Sequence, residues 1–88
     1  MPILYSAPTP AQLALFKQEL GLSSTQMAEL FGISEGRQWR KYTGGDRDIS
    51  LQMLFFGLAR LELDEATIER IFDRMRKVGA IVDVESTA

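Results

Sequence analysis

Ser23-Ser24-Thr25-Gln26-Met27-Ala28-Glu29-Leu30-Phe31-Gly32-Ile33-Ser34 is the stretch on which the fold turns. Ser23 followed three residues later by Gln26 makes a capping box, so a helix starts here. Met27, Leu30 and Phe31 form its apolar stripe, and Gly32 stops it after about two turns. Ala28 is small and sits four positions before that glycine. Where two short helices cross steeply their backbones come close, and only a small side chain fits between them. Gly32 can take the left-handed conformation that reverses the chain, at a cost to other residues of about 1 kcal/mol or more. Ile33 then plugs the core from the turn, and Ser34 can cap a third helix over about residues 35–42. Helix, tight turn, helix is the layout of a helix-turn-helix.

Working outward, Thr9-Pro10-Ala11-Gln12 reads as an earlier helix start: a Thr cap, Pro at the first helical position and Gln closing a capping box. Leu13, Phe16 and Leu20 follow at helical spacing and Gly21 ends the run. Beyond the third helix, Thr43-Gly44-Gly45-Asp46 is a loop by composition. Asp48 or Ser50 can cap a fourth helix, with Leu51, Leu54, Phe55, Leu58 and Leu61 on one face. Asp64-Glu65 opens a fifth, where acidic side chains suit the helix dipole. Its stripe is Ile68, Ile71, Phe72, Met75 and Val78, closed by Gly79. Ala80-Ile81-Val82-Asp83-Val84 is β-branched and reads as a short strand. The expected fold is an all-α, five-helix domain with a short C-terminal strand. Residues 1–8 are an extended lead-in, 9–63 the helix-turn-helix domain, and 64–88 a C-terminal helix and tail.

Composition narrows the function. At 88 residues the chain has room for one domain. It has neither Cys nor His, which removes disulfides, thiolate nucleophiles, imidazole bases and Cys/His zinc sites together. No carboxylate pair sits in surroundings that would retune it, so we expect no enzyme, no cofactor and no metal. Asp46 and Asp48 lack the further ligands of a cation loop. No apolar run approaches the roughly 20 residues of a membrane span, and no basic residue precedes the short apolar Ile3-Leu4-Tyr5, as a signal peptide requires. A cytoplasmic protein is expected.

Charge is uneven. The net is −2, but Arg37, Arg40, Lys41 and Arg47 against Asp46 give residues 36–47 a local +3. A basic segment on an acidic body can make a phosphate-facing patch. At about 100° per residue, Trp39 and Tyr42 share one side of the third helix and define its buried face. The opposite side centres on Arg37 and Lys41, an i, i+4 pair, with Arg40 beside them and Gln38 on the flank. Arg, Lys and Gln there could read guanine and adenine edges in a major groove. Ser24, Thr25, Gln26, Thr43 and Arg47 border that surface and suit phosphate contacts.

Leu22-Ser23 with Ala28-Glu29-Leu30-Phe31-Gly32-Ile33-Ser34 resembles the first half of the lambda-repressor-like helix-turn-helix, the XRE or Cro/cI family. Trp39-Arg40-Lys41-Tyr42-Thr43-Gly44-Gly45-Asp46-Arg47 resembles its second half, and the likeness covers about residues 13–61. It implies sequence-specific binding of double-stranded DNA by a transcriptional regulator, a repressor, of bacterial or phage type. Two departures stand out. Ser24 occupies a place where the family has Gln, and one extra residue falls near Glu35-Gly36. A palindromic operator implies a homodimer, and Ile68, Ile71, Phe72, Met75, Ile81, Val82 and Val84 are its expected interface, with the tail pairing as an antiparallel strand. The alternative keeps the fold and changes the partner: a helix-turn-helix protein-binding module such as an antitoxin or a small phage inhibitor. The acidic net charge and the missing Gln favour it.

Overall fold

Gly32 takes the left-handed backbone (φ +72°) that the reversal demands. Ile33 N–H donates to the Ala28 carbonyl at 2.8 Å and Gly32 N–H to that of Glu29 at 3.1 Å, the paired bonds of a Schellman stop. In the computed structural model, which describes residues 2–83, this turn joins α2 (Ser24–Leu30) to α3 (Gly36–Thr43). α1 (Pro10–Leu20) precedes them; α4 (Leu51–Glu62) and α5 (Glu65–Val78) follow. The chain is all-α, with no strand among the described residues.

Local chemistry sets the helix starts. Thr9, Ser23, Ser50 and Asp64 each accept the third N–H of the helix they precede, at 2.7–3.1 Å. Gln12 and Gln26 return the bond to Thr9 N–H and Ser23 N–H, both at 2.8 Å, completing the two expected capping boxes. The cap of α3 is Glu35 and not Ser34. The reason is steric. Gly36 is buried where α3 begins against α2, and a Cβ there would lie 2.9 Å from Thr25 N and 3.1 Å from the Ser24 carbonyl carbon. The helix therefore starts at the one residue without a side chain, one position later than the spacing suggested.

The core is Leu13, Met27, Ala28, Phe31, Trp39 and Ile49, all buried. Its centre is a stack of Phe31 on Trp39, ring centroids 5.1 Å apart and planes 19° from parallel. Tyr42, half-buried, tilts against Trp39 at 6.4 Å between ring centroids. The Trp39 indole N–H is buried without an acceptor. An unmatched donor costs about 1–3 kcal/mol, so packing and not hydrogen bonding places this ring. Tyr5 of the lead-in donates its hydroxyl to the Ile49 carbonyl, fastening residues 2–8 over the loop before α4.

α4 departs from the expected face. Gly57 is buried against Phe31, and a Cβ on it would overlap the Phe31 ring. Met53 and Leu54 flank this contact and pack on the core. Phe55 therefore points outward at 72% exposure, with Leu58 and Leu61 also exposed. The spacing of leucines identified an apolar face, but the glycine gap decides which side turns inward.

α5 has no fully buried residue. Ile68 and Phe72 are half-buried, while Met75 at 42% and Val78 at 85% face solvent. The expected strand does not form across residues 80–83. Gly79 turns the chain in left-handed conformation, and Ala80 N–H donates to the Met75 carbonyl at 3.0 Å. Arg76 then donates to the Val82 carbonyl from Nε at 3.1 Å and Nη2 at 2.8 Å. A guanidinium within the same chain holds the acceptor that a strand ladder would use. Ile81 is exposed and Val82 half-buried; Val84 lies outside the described residues.

Two outcomes follow for stability. Gly57→Ala should lower unfolding free energy by about 1–3 kcal/mol through overpacking, although helix propensity alone predicts a gain of about 1 kcal/mol. Adding Phe31→Leu should recover part of the loss; a urea midpoint at or above the parent's would refute the contact. Second, the hydrogen bonds from Thr67 hold the Asp64 carboxyl below its usual range. A depressed carboxylate contributes stability above the unfolded-state pKa and loses it as pH falls through the folded value. Helicity of the parent should therefore drop on acidification by a component that Asp64→Asn, still a good cap, does not show. Circular dichroism curves of equal acid dependence would contradict this.

Candidate nucleic-acid interface

α3 lies against α2 and α1 with a sharply two-sided surface. Gly36 and Trp39 are buried, and Tyr42 and Thr43 are half-buried. Arg37, Gln38, Arg40 and Lys41 are all exposed. At about 100° per residue, the direction opposite the buried side falls between Arg37 and Lys41, with Arg40 and Gln38 to either side. The four expected base-reading residues thus share one outward face. Among the described residues, Arg40, Lys41 and Arg47 make no ion pair. Arg37 does: its Nη2 donates to Glu35 Oε2 at 2.9 Å.

The expected phosphate contacts are placed less uniformly. Gly36 sits on the Ser24–Thr25 backbone, so the starts of α2 and α3 converge. Thr25 is exposed there and Ser24 half-buried. Gln26 has its carbonyl oxygen engaged by Ser23 N–H, which leaves its amide N–H groups to donate outward. Thr43 is half-buried, and its hydroxyl donates to the Arg40 carbonyl at 3.3 Å, a weaker outward donor than the spacing suggested. Arg47 is exposed beyond the Gly44–Gly45 turn, where Asp46 N–H and Arg47 N–H fold back on the Lys41 carbonyl at 2.9 and 3.3 Å. That turn keeps Arg47 next to the last turn of α3.

Two residues that sequence reasoning passed over shape the site. Glu35 holds Arg37, and Arg60 braces α2. From α4, Arg60 Nη1 donates to the Glu29 and Leu30 carbonyls at 2.6 and 3.0 Å. It thereby adds a second donor to the Glu29 carbonyl and supplies one to the Leu30 carbonyl at the helix end, and its guanidinium lies 5.6 Å from the Phe56 ring centre. No local signal marks Arg60, because its partners lie about thirty residues earlier. Glu35 was visible as an acid beside a basic run, but its partner was not.

The arrangement offers donors on a convex helical face and no enclosed cavity among them. No group of three or more carboxylates that could hold a metal occurs among the described residues, and none of their helices is long and apolar enough to cross a membrane. No protein-family model matches the chain, and no curated protein or solved structure is similar enough to count as a relative.

Proposed function

We propose that this protein binds double-stranded DNA sequence-specifically through α3 and regulates transcription by occupying its site. The observation that carries the reading is the split of α3. Trp39 is fully buried in the Phe31 stack, while Arg37, Gln38, Arg40 and Lys41 stand together on the exposed side. A short helix anchored by one aromatic face presents a cationic face of the width a major groove admits. Thr25, Gln26 and Arg47 border it with donors suited to phosphates. The bound protein acts as a repressor by blocking polymerase, a role that needs neither catalysis nor a cofactor.

We further propose that it works as a homodimer joined through α5, on a palindrome whose half-sites lie about one helical turn apart. The apolar stripe of α5 supports this. Ile71, Met75 and Val78 remain exposed along a helix that adds nothing to the buried core.

Electrophoretic retardation of random duplexes at low salt tests the DNA reading. A shift at micromolar protein is expected; none would leave the fold as a protein-binding module. Arg37→Ala should cost about 1–3 kcal/mol on a selected duplex and relax base preference. Arg47→Ala should weaken binding to all sequences alike and flatten the salt slope by about one unit. Variants that both bind like the parent would rule out this face. In sedimentation, the parent should dimerise and Met75→Glu should be monomeric; a parent that stays monomeric at all concentrations removes the dimer.

A further inference from the structure

α3 begins unlike the other four helices. Their N-cap side chains accept a first-turn N–H. Glu35, the cap of α3, makes no such bond. Its carboxylate accepts instead from Arg37 Nη2 at 2.9 Å. Helix-start N–H groups lack intrahelical partners, and a carboxylate is well suited to them. A residue that forgoes that local gain to hold a neighbour marks a site where another demand applies.

The pair flanks a close contact between two helices. Gly36, between the two, is pressed onto α2 so closely that a Cβ would meet Thr25 N at 2.9 Å. Glu35 and Arg37 therefore straddle the point where α3 comes closest to α2. Their side chains are 53% and 74% exposed, and exposed ion pairs contribute little to stability. Holding the fold together does not account for the pair.

Its charge is also out of place for plain phosphate binding. Glu35 puts a carboxylate at the leading end of a face whose other charges are Arg37, Arg40 and Lys41, with Arg47 close by. Against the uniform phosphate backbone that charge repels. Against base edges it has a use: a carboxylate accepts from cytosine N4 while an arginine fork donates to guanine O6 and N7. An arginine with one nitrogen engaged also has fewer orientations to lose when it docks.

Resting on the reading of α3 as the groove-entering helix, we propose that Glu35 is a positioning residue for specificity. It holds one nitrogen of Arg37, aims the remaining donors at a guanine, and penalises seating of α3 on duplexes without a G·C pair at that place. The same contact lowers affinity for unselected DNA, because it keeps Arg37 from pairing freely with phosphates. Discrimination here comes partly from repulsion of wrong sites.

Selection of a preferred duplex from a random pool with the full chain, then titration of that duplex and a scrambled one, tests this. Glu35→Gln keeps the side-chain shape and removes the charge. It should bind the scrambled duplex more tightly, steepen its salt slope by about one unit, and reduce the selected-to-scrambled ratio about 10-fold. In an Arg37→Ala background the same substitution should leave the ratio unchanged. A parent that retards no duplex overturns the DNA reading and this proposal together. A parent that binds DNA, with Glu35→Gln retaining its full ratio, overturns the proposal alone. So does an equal fall in ratio with and without Arg37.

Discussion

The stack of Phe31 on Trp39 is the contact from which the rest of the domain is built. Phe31 closes α2, and Trp39 is the inward side chain of α3. Their 5.1 Å separation therefore fixes how the two helices meet across the Gly32 turn. α4 reaches the same ring through the bare backbone of Gly57. One aromatic ring thus has a helix on each side, and neither neighbour can be enlarged without displacing it. Because Trp39 lies wholly inside, the polar residues around it on α3 have only one direction left to face. The outward cationic surface is a geometric consequence of where the indole sits.

Much of this was readable from residue order. Ser23 with Gln26, Thr9 with Gln12, and Gly32 act over three or four residues, and all do what their local chemistry dictates. The burial of Trp39 followed from its spacing to Tyr42. What escaped were effects that depend on distant partners. The apolar spacing of α4 is satisfied by more than one rotation of the helix, and the choice between them rests on Phe31, which lies far away in sequence. The tail has strand-forming residues, yet Arg76 captures the Val82 carbonyl across a turn that propensity does not encode. The start of α3 at Gly36 likewise depends on a contact with Thr25 in another helix. The outward placement of Arg37, Gln38, Arg40 and Lys41 was thus evident from periodicity, while the engagement of Arg37 by Glu35 and of Thr43 by its own helix was not.

Stability and surface chemistry are divided along the chain. Among the described residues, those before Leu63 hold every fully buried side chain, whereas α5 carries its apolar residues half-covered or bare. Such a helix draws little support from its own domain. Its order rests on the Asp64 cap, the Gly79 stop and the Arg76 contacts with Glu69, Asp73 and Val82. The outward apolar side of α4, with Phe55 and Leu58, adds to the uncovered area without belonging to the core.

Arg60 gives this division a mechanical side. It grips the carbonyl end of α2 from the last turns of α4, two residues short of where that helix ends and the chain passes to α5. The far end of α4 is thereby tied to the rear of the helix whose front edge meets the start of α3. α4 thus holds α2 at two points, a packed ring below and a guanidinium clasp at its carbonyl end.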